Sequence, residues 1–453
     1  MTLMSVPDFQ NAFDPAHGLD FHKSRAYWLG RCSELVYPVT EEEKEADRKA
    51  SEAKAAERAL NPPWWKPWIR KVKTADCERA RAEALAAVSR VVRTEALRVE
   101  ADVRAWGFNR FQFLSGMSTQ CFVAASDNVI VVCFRGTEVN RVGDIYDDLM
   151  AIPMRQAQVP GLIHIGFWNA LKQVWRDIDT PQLVWPVDQD AESCKGLTDY
   201  LREFRNEVNP QLVWITGHSL GGALATMAAA RLLGEEVLRP DEIGGVYTFG
   251  QPRVGDQMFA DAYEIGARHF RVVHDNDVVT RVPPESLKRV LSAASMFVDV
   301  QPDQQENAQG LLNLQYSHVG HVAFLSGAAG IVVGLEKWQL LQRRIIARLM
   351  AIIRKGALVE RLLPGLTDHS MSTYNNLIDA DVTRSMLRST PDERTSSAST
   401  LGRSMPDQND SSLHAAPQNN SGSKLLAVFS GAGIGLLVGL LMGLSVSPTV
   451  GLV

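Results

Sequence analysis

Cysteine is scarce: there are five in 453 residues, at Cys32, Cys77, Cys121, Cys133 and Cys194. An odd, scattered set argues against a disulfide framework and favours a reducing compartment. Cys121 and Cys133 stand in apolar, strand-like runs, where a thiol serves as a small buried group. Positive charge is not in excess either. A formal net charge of -5 without a dominant basic patch gives no reason to expect nucleic acid as a partner. The opening residues, MTLMSVPDFQNAFD, have neither a basic start nor an apolar run, so no signal peptide for general secretion is predicted.

What the chain does have is bulk: 45% hydrophobic and 22% charged residues, enough for one large globular domain with additions. One stretch organises it, Thr216-Gly217-His218-Ser219-Leu220-Gly221-Gly222-Ala223. Residues 211–216 read as a buried strand and residues 220–233 as a helix with small residues facing a sheet. Between them lies Gly-X-Ser-X-Gly, a turn tight enough that side chains at Gly217 and Gly221 would strike neighbouring backbone. The turn presents Ser219 at its tip. The helix start behind it offers free N–H groups and a positive dipole end, suited to an oxygen that becomes negative during acyl chemistry.

The rest of the chain reads as strands alternating with helices. Residues 119–125 and 129–134, joined by Ser126-Asp127-Asn128, form a predicted hairpin of buried strands. Residues 245–249 and 270–274 are further short strands, and helices are expected over 166–178, 197–208 and 256–265. This pattern implies an α/β fold, a mostly parallel central sheet with helices on both faces, with functional residues beyond the carboxyl ends of the strands. Residues 41–105 read as an inserted helical hairpin. Its first arm, 41–60, is a mixed-charge, alanine-rich helix suited to solvent rather than to a core. It is broken by a segment with Trp64, Trp65 and Trp68 beside basic residues, which suits a membrane interface or packing between helices.

Serine needs a histidine to take its proton, and the histidine needs a carboxylate. The acid should follow a strand, and the loop after residues 270–274 holds both Asp275 and Asp277. Histidines after that loop are His318, His321 and His369. Oxyanion donors should come from the N–H of Leu220, directly after the serine, and from a turn after an early strand, where Gly136-Thr137 fits. Arg135 reads as a structural ion-pair partner. His218 is expected to point away from the nucleophile in a structural role.

Several blocks in order make the chain resemble the class 3 lipase family of α/β-hydrolases. They are Val131-Val132-Cys133-Phe134-Arg135-Gly136-Thr137, His164-Ile165-Gly166-Phe167, the Ser219 elbow, Tyr247-Thr248-Phe249-Gly250-Gln251-Pro252-Arg253-Val254-Gly255, and the Asp277 loop ending in Pro283-Pro284. The resemblance spans roughly residues 20–40 and 106–380. It implies the α/β-hydrolase fold, a catalytic set of Ser219, Asp277 and His369, and an oxyanion hole of Thr137 and Leu220. Asp368-His369 followed by Tyr374 matches the family's catalytic histidine better than the Tyr316-Ser317-His318 block does. One departure is Thr280, where the family usually has proline. His164, Asp144, Asp147 and Asp148 also match family-like positions, and loop support is their simpler reading. The implied reaction is hydrolysis of a lipid ester, acylglycerol or phospholipid, with no metal and no cofactor. Residues 138–150 are where a lid would lie.

Within residues 1–384 a second insertion is expected at about 285–315. Residues 338–363 alternate apolar and basic residues as an interfacial helix would, or as a helix packed on the core with a basic outer face. A polar linker is expected over 385–423, and residues 424–445 read as a transmembrane helix. In that helix Gly431, Gly435, Gly439 and Gly443 line one face and permit self-association. Gly327, Gly330 and Gly334 repeat the spacing in a run too short to span, read as core. These features imply a bilayer partner and a membrane-associated protein. Alternatives are an esterase of small soluble esters, or a membrane-tethered interaction protein without catalysis. A bacterial toxin against membrane lipids, partnered by an inhibitor protein, is a variant of the first reading.

Overall fold

A computed structural model describes residues 8–60, 71–136, 153–175, 185, 195–205, 211–274, 277–283, 315–327, 329–335 and 367–389. The helices are α1 (Phe9–Ala12), α2 (Lys23–Leu35), α3 (Glu41–Leu60), α4 (Thr74–Ala105), α5 (Ile165–Lys172), α6 (Leu197–Phe204), α7 (Leu220–Gly234), α8 (Gln257–Asp261) and α9 (Met371–Ser389). The strands are β1 (Arg110–Ser115), β2 (Gln120–Ala125), β3 (Val129–Phe134), β4 (Pro153–Gln156), β5 (Val159–His164), β6 (Leu212–His218), β7 (Ile243–Phe249), β8 (His269–His274), β9 (His321–Ser326) and β10 (Gly330–Val333).

Eight of these strands form one sheet in the order β1-β2-β3-β6-β7-β8-β9-β10. From β3 to β9 neighbours run parallel, and antiparallel pairs close both edges. Side chains alternate between two cores, as a pleated strand requires. From β3, Ile130, Val132 and Phe134 enter one core with α5, α6 and α7, while Val129, Val131 and Cys133 enter the other with α2, α4 and α9. Helices therefore cover both faces, which is why β2 and β3 are buried along their whole length.

The Ser126 hairpin joins β2 to β3 as the pattern implies, closed by the Ser126 N–H on the Val129 carbonyl at 2.9 Å. Other expectations are corrected. The helix expected over 256–265 is only α8, because Tyr263 and Ile265 turn inward to the core and the Tyr263 hydroxyl meets His269 Nδ1 at 3.1 Å. Of the glycines read as core, Gly330 opens β10 and is buried, whereas Gly327 after β9 and Gly334 after β10 are exposed, and Gly330 and Gly334 sit at φ +70° and +79°. Helix α3 is solvated on one face only, where Arg48 pairs with Glu45 and Glu52, for Ala46, Ala50, Ala53 and Ala59 are buried, the first two against α4 and the sheet. The linker expected from 385 starts later, since residues 385–389 complete α9, where the Ser385 hydroxyl donates to the Asp381 carbonyl at 2.9 Å. The segments 137–150, 285–314, 338–363 and 424–445, and with them Thr137, Asp144, Asp147, Asp148 and the tryptophans at 64, 65 and 68, lie outside the described residues. Among the described residues no helix is long and apolar enough to cross a membrane.

Candidate active site

The strand β6 and the helix α7 meet at Ser219, whose backbone sits at φ 57°, ψ -124°. A non-glycine residue there carries about 1–3 kcal/mol of strain. Hydrogen bonds on both sides hold the turn: the Ser219 N–H donates to the Phe249 carbonyl at 2.9 Å, and the Gly222 N–H donates to the Ser219 carbonyl at 3.0 Å. A Cβ at Gly217 would strike the Gly221 backbone, and one at Gly221 would strike the Phe134 carbonyl. The glycines are thus required by packing of the elbow against itself and against β3. Leu220 begins α7 directly behind the serine, as the oxyanion reading needs.

Around Ser219 the topology brings two distant residues together. His369, from the 3-10 turn before α9, places Nε2 2.7 Å from Ser219 Oγ. Its Nδ1 lies 2.9 Å from Asp277 Oδ2. A carboxylate only accepts, so Nδ1 carries the proton and Nε2 is free to accept from the serine hydroxyl. All three side chains are almost fully buried, with Ser219 and His369 at 0% and Asp277 at 1% exposure, so their hydrogen bonds act in a low dielectric.

Asp277 is itself held. Its Oδ2 accepts from the Tyr374 hydroxyl at 2.6 Å and its Oδ1 from the Val279 N–H at 2.9 Å. Burial, followed by the neighbouring Asp277 charge, pushes the Tyr374 phenol well above its usual range, so it remains a donor. Thr280, the departure from the family pattern, donates its hydroxyl to the Asp277 carbonyl at 2.9 Å and so braces the loop that a proline would stiffen. Asp275 falls outside the described residues. His318 reaches the Thr280 carbonyl at 2.8 Å, and His321 begins β9 beside Phe270, so neither joins the serine.

His218 faces away from the serine oxygen, but it is closely engaged. Its ring lies 4.6 Å from that of His369, its Nε2 is 2.6 Å from the His369 carbonyl, and its Nδ1 is 2.6 Å from the Tyr37 hydroxyl. The carbonyl can only accept, so Nε2 carries the proton and Nδ1 accepts from Tyr37. Burial, and then the like charge of His369, hold its pKa well below the ordinary value, and it stays neutral. His164 caps α5, accepting from the Phe167 N–H at 3.3 Å, which is loop support. Arg135 pairs with Asp47 and lies 3.5 Å from Glu95, both on the helices α3 and α4. Gly136 follows it, close enough to Ser219 that a Cβ there would collide with the His218 carbonyl. Sequence reasoning missed Tyr37, Asp47, Glu95 and Arg98 because no local spacing links them to the elbow. Tyr374 was visible as the start of a helix, but not as a partner of the acid. Among the described residues no group of acidic, histidine or cysteine side chains could hold a metal ion.

The geometry can be set beside known proteins. Residues 131–287 match the family model for lipase (class 3). The chain is 30% identical to triacylglycerol lipase OBL1 of Arabidopsis thaliana over 323 residues, covering 60% of this chain and 59% of the plant protein. It is 30% identical to a lipase of Rhizomucor miehei over 170 residues, covering 37% of this chain and 41% of that one. The chain therefore spans about 59% of the length of the plant relative it matches. A solved structure, lipase II from Rhizopus niveus, aligns with a TM-score of 0.36 at 23% identity over 59% of this chain and 87% of that one. The matched block runs from β3 through the Ser219 elbow to the Asp277 loop, and over it the chain is similar to the class 3 lipases.

Proposed function

We propose that the chain hydrolyses carboxylic esters of lipids, acylglycerols or phospholipids, through an acyl-serine formed at a membrane surface. The observation that carries this reading is the continuous hydrogen-bonded line from Ser219 through His369 to Asp277. As Ser219 Oγ attacks the ester carbonyl, His369 Nε2 takes its proton and Asp277 stabilises the imidazolium. The carbonyl oxygen becomes an oxyanion, for which the Leu220 N–H at the start of α7 and Thr137 are the proposed donors. The tetrahedral intermediate collapses, the alcohol leaves with the proton from His369, and the acyl group stays on Ser219. Water, deprotonated by the same histidine, then releases the fatty acid and restores the serine.

Similarity to the plant triacylglycerol lipase supports an acylglycerol substrate. Action at a membrane is supported by the charge-free run within residues 424–445 and the basic, apolar alternation at 338–363. The test compares triacylglycerol emulsion, phospholipid vesicles and a short soluble ester as substrates. Full-length protein, a form ending at Ser389 and Ser219→Ala are assayed on each. Ser219→Ala is expected to lower turnover by about a million-fold. Truncation at Ser389 is expected to slow the lipid substrates while sparing the soluble ester. An unchanged rate for Ser219→Ala removes the nucleophile from the scheme, and equal effects of truncation on all substrates remove the membrane anchor.

A further inference from the structure

The helices α3 and α4 reach the catalytic centre by two separate routes. In the first, Arg98 on α4 donates to the carbonyls of Leu35 and Tyr37 at 2.9 and 3.1 Å. That fixes the segment after α2, so that the Tyr37 hydroxyl meets His218 Nδ1 at 2.6 Å. His218 in turn donates Nε2–H to the carbonyl of His369 at 2.6 Å. In the second, Asp47 on α3 pairs with Arg135, and Glu95 on α4 flanks the same guanidinium. Arg135 directly precedes Gly136, which lies between the Tyr37 hydroxyl and the Ser219 elbow. Arg98 and Glu43 link the routes, with Nε and Oε1 3.6 Å apart.

We propose that α3 and α4 form a clamp that positions the active site, Arg98 setting the backbone of the catalytic histidine through Tyr37 and His218, and Asp47 setting the turn after β3 through Arg135. The inference rests on the hydrolase reading above. The clamp residues are positioning residues: none touches the ester. Their side chains are buried or half-buried, and the Arg135 and Glu95 side chains are only 5% and 4% exposed, so the ties are shielded from water and hold geometry better than surface pairs would. The helices lie outside the residues that match the family model, so the clamp is supplied from outside the matched block.

The experiment uses the full-length protein with Tyr37→Phe, Arg98→Gln and Asp47→Asn. It measures kcat and KM on a short soluble ester, thermal midpoints, and the imidazole nitrogens by NMR. Each variant is expected to lower kcat by about tenfold at nearly constant KM, because misplaced catalytic groups slow chemistry more than binding. Effects of Tyr37→Phe and Arg98→Gln should combine less than additively, since they share one route, whereas Tyr37→Phe and Asp47→Asn should add. Should Asp47→Asn or Arg98→Gln unfold the protein, Tyr37→Phe, which removes one oxygen from a half-buried ring, still decides. An unchanged kcat in folded Tyr37→Phe overturns the clamp. If the wild type cuts no ester, the hydrolase reading falls and NMR judges the clamp alone. A His218 protonated at Nε2, with both nitrogens shifting in Tyr37→Phe, upholds it. The opposite tautomer, or no shift, overturns it.

Discussion

Asp277 receives more attention from the fold than a carboxylate needs in order merely to accept one hydrogen bond from a histidine. Tyr374 donates to the same oxygen that faces His369, and Val279 donates to the other. Tyr374→Phe should therefore cost about 1.5–3 kcal/mol in urea denaturation, the range for a hydrogen bond to a charged group. It should also lower kcat on a soluble ester, because Asp277 becomes free to rotate away from Nδ1. A loss well below 0.5 kcal/mol with unchanged kcat would show that Val279 alone holds the acid. Ser219 and Asp277 were legible in the sequence because each follows a strand within a short motif. His369 needed the resemblance to separate it from His318 and His321. Tyr374 and Asp277 stand 97 residues apart, and a bond across that separation leaves no periodicity to read.

The helix α4 carries a group whose protonation bears on the stability of the whole element. Glu95 is buried beside Glu43, and Arg135 is committed to Asp47, so burial and then the Glu43 charge push its carboxyl up to about 8, against the lesser opposing pull of Arg98. The folded state therefore holds this proton while an unfolded chain releases it near the ordinary carboxyl value. Stability from this group is full below about pH 4.5 and is lost as pH rises through about 8. Between those values the slope approaches about 1.4 kcal/mol per pH unit. The glutamine in Glu95→Gln mimics the neutral acid, so the variant should flatten the decline of the urea midpoint between pH 5 and 8. A wild type whose midpoint does not fall over that range would show that Glu95 is charged in the fold. At this scale the sequence was read well for the central strands and for α4, whose apolar residues recur at helical spacing. It was misread for α3, where Ala46, Ala50 and Ala53 at intervals of four and three form a smooth face that lets α4 approach closely. Composition, dominated by charge, concealed that face. The strands β1, β4, β5, β9 and β10 went unread, since their burial is partial and polar or glycine residues hide the alternation.

Across the whole molecule, the two ends of the described chain are fastened together. Lys23 on α2 pairs with Asp381 on α9 at 2.8 Å, Asn375 donates to Glu34 at 2.7 Å, and the Asp381 carboxylate also accepts the Ile331 N–H of β10 at 3.2 Å. The α/β-hydrolase architecture was legible from the order of strands and motifs, whereas this closure was not, because it depends on contacts more than 300 residues apart. It has a consequence in time. Ser219 is synthesised 150 residues ahead of His369. At a translation rate of about 5–20 residues per second, a growing chain carries its proposed nucleophile for roughly 8–30 s before its proposed base exists. Even then the histidine has no seat until α9 docks against α2. On the proposed reading, the growing chain stays silent toward lipid esters until α9 has been made and has docked.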